Sequence, residues 1–196
     1  MSMRIAVCLS GRGSNLGALL DALEGHQEAC IALVLSNRPN AGGLERARRA
    51  GVPAEVFHDP ADSGEWISRL GRRDIDLIVL AGYLKLVPPQ VVVAYRGRIV
   101  NIHPALLPKF GGRGMYGRRV HEAVLASGDR ETGVTIHLVN EEYDRGSVLA
   151  QVRVPVEPDD TADTLAARVL TVEHALLPRV VLEAAAAGHP MPVSDA

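Results

Sequence analysis

Two polar side chains lie two residues apart where an apolar run ends, in the segment Ile99-Val100-Asn101-Ile102-His103-Pro104. Side chains alternate along a β-strand, so Asn101 and His103 are expected on the same side. An amide donor beside an imidazole can stabilise a developing oxyanion, and the imidazolium can later supply a proton. The pair indicates acid–base chemistry, although a histidine at a strand end can also be purely structural.

A glycine-containing loop joins the first apolar run to a predicted helix: Ser10-Gly11-Arg12-Gly13-Ser14-Asn15-Leu16. The helix N-terminus offers free N–H groups and the positive end of a dipole to an anion. Leu16 stands where a dinucleotide fingerprint has its third glycine, and no Gly-Lys-Ser/Thr follows as in a P-loop. The loop predicts a site for a single phosphate; the alternative is a plain strand-to-helix turn capped by Ser14 or its neighbour.

The elements that must position these residues alternate along the first half of the chain. Strands are predicted over 5–9, 31–35, 54–57, 77–80 and 99–102, and helices over 14–24, 44–50, 65–72 and after Pro88-Pro89. Continuous apolar strands separated by helices indicate a parallel sheet covered on both faces. Ligands bind such sheets at the carboxyl ends of the strands, so Asn101 and His103 should border a cleft.

The second half of the chain has a different pattern. Apolar and polar residues alternate over 134–139 and 151–156, and the polar loop 140–147 between them predicts an antiparallel hairpin at a sheet edge. A last helix is predicted to start with Asp160 as its N-cap. The predicted fold is therefore α/β, with a doubly wound, mostly parallel sheet and an antiparallel hairpin at one edge. Residues 1–187 are expected to form a single domain and residues 188–196 a mobile tail.

Composition narrows the classes of function. The chain has 196 residues, 47% of them hydrophobic, and 21 basic against 23 acidic residues give no positive field for nucleic acid. No apolar run is long enough for a membrane span or a signal peptide, so we expect a cytoplasmic protein without a membrane partner. Cys8 and Cys30 fall in apolar runs and read as reduced core residues; no metal site is expected.

Five motifs in order closely resemble the phosphoribosylglycinamide formyltransferase family: residues 10–16, 81–85, 101–109, 133–139 and 141–146. Residues 167–169 and 173–174 also fit, so the similarity spans about residues 5–178. The resemblance implies a formyltransferase-type fold and a formyl transfer from 10-formyltetrahydrofolate, the co-substrate, to the amine of N1-(5-phospho-D-ribosyl)glycinamide. Tetrahydrofolate leaves, and the product belongs to de novo purine (IMP) biosynthesis. No metal is implied, and the chain could be a monomer or a homodimer.

The resemblance also implies roles for individual residues. Asn101, His103 and Asp144 correspond to the family's catalytic trio. Gly13, Ser14 and Asn15 would bind the ribonucleotide phosphate, and Glu173 the ribose hydroxyls. Glu173 also lies on the apolar stripe of the last helix, where a carboxylate is costly without a partner. The pterin of the folate would be held through backbone groups of Tyr83, Leu84, Lys85, Leu86, Val87, Asn140, Glu141, Glu142 and Tyr143.

In the implied mechanism, Asn101 donates to the oxyanion and protonated His103 shares its charge with it. Asp144 favours the imidazolium and relays a proton through water. Considered without the trio assignment, Asp144 would be interpreted as a solvated loop carboxylate. Because the loop 140–147 joins two edge strands, we expect it to rearrange on folate binding and thereby bring Asp144 near His103.

Three positions depart from the family pattern. Gly64 stands where many members carry an arginine that contacts the folate, Ser147 stands where proline is usual, and the loop 111–117 is longer than in some members. Methionyl-tRNA formyltransferase and formyltetrahydrofolate hydrolase share the core but add a tRNA-binding and a regulatory domain, for which we expect no room here. A non-catalytic nucleotide-binding module is a further alternative that leaves Asn101, His103 and Glu173 unexplained.

Overall fold

A computed structural model of the protein describes residues 2–193. The strands are β1 (Met3–Leu9), β2 (Ala29–Ser36), β3 (Ala54–Val56), β4 (Leu77–Leu80), β5 (Ile99–His103), β6 (Glu131–Leu138) and β7 (Val148–Pro155). They form one seven-stranded sheet in the order β3-β2-β1-β4-β5-β6-β7. Strands β1 to β5 are parallel, whereas β6 is antiparallel to both β5 and β7. The predicted fold class, with its antiparallel hairpin at one edge, is confirmed.

Helices cover both faces of the sheet. They are α1 (Ser14–Leu23), α2 (Gly42–Arg49), α3 (Ser63–Gly71), α4 (Pro89–Ala94), α5 (Arg118–Ser127) and α6 (Ala162–Ala187). Side chains of β1 alternate between two cores: Ile5 and Val7 pack in the core that contains α1 and α6, and Ala6 and Cys8 in the core that contains α3 and α4. Both cysteines are free thiols, and Cys8 is fully buried.

The order of the strands places a crevice in the middle of the sheet. The chain runs from β1 to β2 and β3 on one side, then returns to β4 beside β1 and continues to β5 on the other side. At such a switch point the two loops that follow the neighbouring strands separate and leave room for a ligand. The loops after β1 and β4 therefore frame the candidate site.

Two local expectations were wrong. The N-cap of α6 is Thr161, which forms a reciprocal capping box with Thr164, whereas Asp160 accepts two hydrogen bonds from the guanidinium of Arg168. Helix α5 was not predicted. Its first two residues are arginines and it buries only Val120, His121 and Val124, so its apolar stripe is too narrow to stand out in the sequence.

The C-terminal segment follows the edge of the sheet as far as it is described. Pro190 is buried, and the Val193 N–H donates to the Leu149 carbonyl at 2.8 Å. The predicted mobile tail also includes residues 194–196, which lie outside the described residues, and its mobility stays a prediction. Within residues 2–193, no helix combines the length and apolar character needed to cross a membrane.

Candidate active site

A cavity of about 640 Å³ opens at the carboxyl ends of the central strands. One end is bounded by the start of α1 and one face of α6, and the other by the loops that follow β4 and β6. Its lining includes Asn101, His103, His137 and Asp144. The sequence-based expectation of a cleft at the end of β5 is met.

The three residues of the expected trio are in contact. Asp144 Oδ2 lies 3.6 Å from His103 Nδ1, and Asn101 Nδ2 donates to Asp144 Oδ1 at 3.3 Å. The backbone N–H of Gly112 also donates to Asp144 Oδ2, at 2.8 Å. Asp144 was expected to reach His103 only after folate binds; that expectation was wrong, because the two side chains already face each other.

His103 has a defined pattern of protonation. Its Nε2 lies 2.8 Å from the carbonyl oxygen of Phe110. Since a carbonyl only accepts, Nε2 carries the hydrogen, and in the neutral ring the lone pair of Nδ1 faces Asp144. Burial lowers the pKa of His103 and outweighs the opposing effects of the Asp144 carboxylate and the Phe110 carbonyl, while the neighbouring His137 lowers it further. His103 is therefore neutral near pH 7 in the free protein, not protonated as the resemblance suggested.

Asp144 is an ionised carboxylate in spite of its burial. Burial alone would raise its pKa, but the neighbouring imidazoles of His137 and His103 and the Gly112 N–H together hold the pKa below its usual value. Its side chain is 9% exposed. The alternative reading of Asp144 as a solvated loop residue does not fit this environment.

The backbone that holds His103 is strained at two points. Phe110 and Asp144 both have φ of 55°, in the left-handed region that residues other than glycine rarely adopt. Such conformations cost about 1–3 kcal/mol each and concentrate at functional sites. Between them, a Cβ on Gly111 would lie 2.5 Å from Leu107 Cδ2 and 3.1 Å from Asp144 Cβ. The two loops thus approach closely, and a side chain at position 111 would displace the Leu107 side chain and crowd Asp144.

His137 belongs to the site and was not assigned a role from the sequence. It pairs with Asn101 across β5 and β6 and is 2% exposed. Its Nδ1 lies 2.8 Å from the Leu138 carbonyl, so Nε2 accepts from Asn101 Nδ2 at 3.0 Å. Both amide hydrogens of Asn101 are thereby directed at His137 and Asp144. The signal was a histidine on the same face of β6 as Thr135, where it alternates with the apolar Val134, Ile136 and Leu138.

The start of α1 has the form of an anion site. Gly13 is the N-cap, with φ of 73°, and among residues 2–193 no side chain caps the first turn. A Cβ on Gly13 would lie 2.6 Å from the Gly43 Cα, so glycine is required for two reasons. Ser14 and Asn15 line the cavity, whereas Gly13 does not. The N–H groups of the first turn of α1 have no side-chain partner among residues 2–193, so the alternative of a capped turn does not hold.

The carboxylate of Glu173 has a hydrogen-bond partner, which its place on the apolar stripe of α6 requires. Asn15 Nδ2 donates to Glu173 Oε2 at 2.5 Å, which joins α1 to α6 at the floor of this end of the cavity. Burial raises the pKa of Glu173, and the hydrogen bond from Asn15 opposes only part of that effect. Asn15 Oδ1 is buried without a hydrogen-bond partner among residues 2–193. This end therefore holds polar groups that are set up to meet a polar ligand.

The other end of the cavity contains most of the expected folate residues. Its lining includes Tyr83, Leu84, Lys85, Leu86, Val87, Asn140, Glu142 and Tyr143. Glu141 does not line the cavity; its carboxylate lies 3.6 Å from Arg96. The ring of Tyr83 packs edge-on against Trp66, with 5.7 Å between ring centroids. Burial raises the pKa of Tyr83, and its hydroxyl has no hydrogen-bond partner within residues 2–193.

The three departures from the family pattern lie in different places. Gly64 is in the first turn of α3, where its N–H donates to Asp62 Oδ1 at 2.8 Å, and it does not line the cavity. The Ser147 carbonyl accepts from the Leu138 N–H. The loop 111–117 contributes six of its residues to the cavity wall: Gly112, Arg113, Gly114, Met115, Tyr116 and Gly117. Residues 2–193 contain no group of three or more His, Cys, Asp or Glu arranged to hold a metal.

Comparison with known proteins gives consistent matches. The family model described as Formyl transferase matches residues 3–181. Phosphoribosylglycinamide formyltransferase of Escherichia coli (strain K12) is 41% identical over 186 residues, which cover 91% of this chain and 85% of that protein. The chloroplastic phosphoribosylglycinamide formyltransferase of Arabidopsis thaliana is 46% identical over 186 residues, 91% of this chain. The match covers 64% of the Arabidopsis protein, so this chain spans less than two thirds of its length.

A solved structure of the same kind of enzyme as these two relatives is also similar to this chain. The crystal structure of phosphoribosylglycinamide formyltransferase from Anaplasma phagocytophilum superposes with a TM-score of 0.88 at 36% sequence identity. The superposition covers 95% of this chain and 88% of that one.

Proposed function

Because the chain belongs to the formyl transferase family, we propose that it moves the formyl group of 10-formyltetrahydrofolate to the amine of N1-(5-phospho-D-ribosyl)glycinamide. The products are the N-formyl ribonucleotide and tetrahydrofolate, in de novo purine biosynthesis. The observation that carries the proposal is the convergence of Asn101, His103 and Asp144, with contacts of 3.3 and 3.6 Å, between the two ends of one cavity. We further propose that the reaction takes place in the cytoplasm and needs no metal.

The two ends of the cavity suit the two substrates. At one end, the uncapped N-terminus of α1 offers N–H groups to a phosphate, and the buried Glu173 carboxylate can accept hydrogen bonds from ribose hydroxyls. At the other end, the loop after β4 and the segment after β6 present backbone groups and the Tyr83 ring to a pterin. The glycinamide amine and the formyl carbon would then meet beside the trio.

Attack of the amine on the formyl carbon gives a tetrahedral intermediate with an oxyanion. In the free protein both amide hydrogens of Asn101 are engaged, one by His137 at 3.0 Å and one by Asp144 at 3.3 Å. The longer bond, to Asp144, is the one we expect to be exchanged for the oxyanion. The bond to His137 keeps the amide nitrogen directed at the cavity while this exchange takes place.

The proton must move from the attacking amine to the folate nitrogen that leaves. Neutral His103 can accept it at Nδ1, directly or through one water, because Nε2–H is held by the Phe110 carbonyl. The imidazolium then lies against the Asp144 carboxylate, which stabilises it until the proton passes to the leaving nitrogen and the C–N bond breaks. The positive charge on His103 thus forms where a counter-charge is already in place.

Hydrolysis of 10-formyltetrahydrofolate is the rival reaction, because water could attack the same carbon with the same trio. The partly buried Asn15–Glu173 pair favours a ribonucleotide acceptor, because it offers hydrogen-bonding groups to a polar ligand that attack by water alone would not engage. We would test the proposal by steady-state formation of tetrahydrofolate with and without N1-(5-phospho-D-ribosyl)glycinamide. Formation that depends on the ribonucleotide supports the proposal. Equal formation of tetrahydrofolate and formate without it would contradict the proposal, as would transfer to methionyl-tRNA only.

A further inference from the structure

Ser10 connects the two loops that frame the cavity. It follows β1 directly and is 2% exposed. Its backbone N–H donates to the Gly82 carbonyl at 3.0 Å. Its hydroxyl donates to Asn37 Oδ1 at 2.6 Å and accepts from the Leu84 N–H at 2.9 Å. One buried side chain therefore bonds to the loop after β2 and to the loop after β4.

We propose that Ser10 is a positioning residue for the reduced folate, which holds the backbone of residues 82–84 in its ligand-binding shape. The inference rests on the proposed function, because the folate end of the cavity is assigned there. Ser10 does not line the cavity and does not need to touch either substrate. It acts through Leu84, which does line it.

The direction of the hydroxyl is determined by its two partners. A serine hydroxyl has one hydrogen to donate and two lone pairs to accept. The amide oxygen of Asn37 can only accept, so it takes the hydrogen and leaves a lone pair directed at the Leu84 N–H. Asn37 therefore orients Ser10, and Ser10 in turn holds Leu84.

Apart from the Tyr83 ring, which packs against Trp66, the segment 82–84 is linked to its surroundings mainly through Ser10. Gly82 has φ of 76°, and the segment belongs to no helix or strand. The backbone hydrogen bond that links this segment to another loop also involves Ser10, whose N–H donates to the Gly82 carbonyl. Without the hydroxyl, the partly buried Leu84 N–H and Asn37 Oδ1 both lose a partner, and the loop can move to find another.

Loss of the Ser10 hydroxyl should affect the two substrates unequally. The hydroxyl bonds to residues 37 and 84, neither of which belongs to the glycine loop at the start of α1. The N-terminus of α1 and the Asn15–Glu173 pair keep their own contacts. A residue that only supports the fold would weaken both ligands to a similar extent.

The test uses Ser10→Ala and a control, Thr132→Val, with the full-length protein. Thr132 is 1% exposed, lies outside the cavity lining, and its hydroxyl has no partner within residues 2–193, so this variant also deletes a buried hydroxyl. Titration calorimetry with tetrahydrofolate should give about tenfold weaker binding for Ser10→Ala. Binding of N1-(5-phospho-D-ribosyl)glycinamide should change less than about threefold. Thr132→Val should bind both ligands as the wild type does.

Two variants of Asn37 provide an independent test should Ser10→Ala not fold. Asn37→Asp keeps an oxygen acceptor for Ser10 and should retain folate affinity. Asn37→Leu removes the acceptor and should weaken folate in the same direction as Ser10→Ala. Unchanged tetrahydrofolate binding in Ser10→Ala, or equal weakening of both ligands, would overturn the positioning role. If the wild type itself bound no tetrahydrofolate, the proposed function would be the part that fails.

Discussion

The carboxylate of Asp144 faces the unprotonated nitrogen of a buried imidazole, with 3.6 Å between Asp144 Oδ2 and His103 Nδ1. Burial keeps the pKa of His103 below its usual value, while the charge of Asp144 raises it. His103 is consequently neutral before the reaction, but any proton it accepts arrives beside a negative charge. The pair is suited to carry a proton for a short time and then to give it up.

Replacement of His103 tests its chemical role directly. We expect His103→Ala to retain the fold and to lose about 10²–10³ in turnover, since a group that stabilises the transition state is removed. Circular dichroism and a formyl-transfer assay would check both parts. His26→Ala is the matched control, because His26 is exposed and does not line the cavity. Turnover near that of the wild type would refute the role.

Asp144→Asn should shift the pH dependence of what activity remains. The carboxylate raises the pKa of His103, so its removal lowers that pKa further. The limb of the pH–rate profile that follows His103 should therefore move to lower pH, and turnover should fall sharply. Profiles of wild type and variant at saturating substrates would show this. An unchanged rate and profile would mean that Asp144 has no part in the reaction.

A negative charge at the start of α1 should interfere with the ribonucleotide. Gly13→Asp would place a carboxylate there, but a Cβ on Gly13 would lie 2.6 Å from the Gly43 Cα, so that variant would distort the loop. Ser14→Asp avoids the clash and suits the first turn of a helix. We expect ribonucleotide affinity to fall at least about tenfold, while tetrahydrofolate affinity stays the same. Titration calorimetry with each ligand would measure the two affinities, with Ser14→Ala as the uncharged control.

Glu173→Gln should raise the thermal stability of the protein and weaken its binding of the ribonucleotide. Burial raises the pKa of Glu173 in the folded protein, so the folded state binds the proton more tightly than the unfolded state does. Stability is then highest below the ordinary carboxyl pKa and falls as the pH rises through the raised value. The variant should melt about 2–4 °C higher near pH 7, and this gain should vanish on acidification.

The same variant should weaken the ribonucleotide roughly tenfold, because a neutral amide is a poorer acceptor for ribose hydroxyls. Melting curves at several pH values and the KM for the ribonucleotide would be measured together. A pH-independent melting difference would contradict the effect of burial on Glu173. An unchanged KM would remove Glu173 from the ribonucleotide end of the cavity.

The sheet could be predicted because its strands carry strong local patterns. The run Leu77–Leu80 is wholly apolar, and Val134, Ile136 and Leu138 alternate with polar neighbours, so both the parallel centre and the hairpin follow from burial. Helix α5 was missed because tertiary packing against α6, rather than a strong apolar stripe, stabilises it.

That Asn101, His103 and Asp144 belong to one site could be predicted from the sequence, but the charge state of His103 could not. The neutral state of His103 depends on its burial, and the Phe110 carbonyl determines that Nδ1 is the nitrogen with the free lone pair. Ser10 and His137 were also passed over as functional positions. Ser10 contacts Leu84 and His137 contacts Asn101, and both partners are distant in sequence. Such contacts cannot be predicted from a local sequence pattern.

Transfer of a labelled formyl group would show which acceptor the enzyme uses. The purified protein would be mixed with 10-formyltetrahydrofolate that carries ¹³C in the formyl group, together with N1-(5-phospho-D-ribosyl)glycinamide. We expect ¹³C NMR to show the label in a formamide bonded to the glycinamide nitrogen, with one tetrahydrofolate formed for each label transferred. His103→Ala should abolish most of that signal. Label that appears as free formate at the same rate with and without the ribonucleotide would refute the proposed formyl transfer.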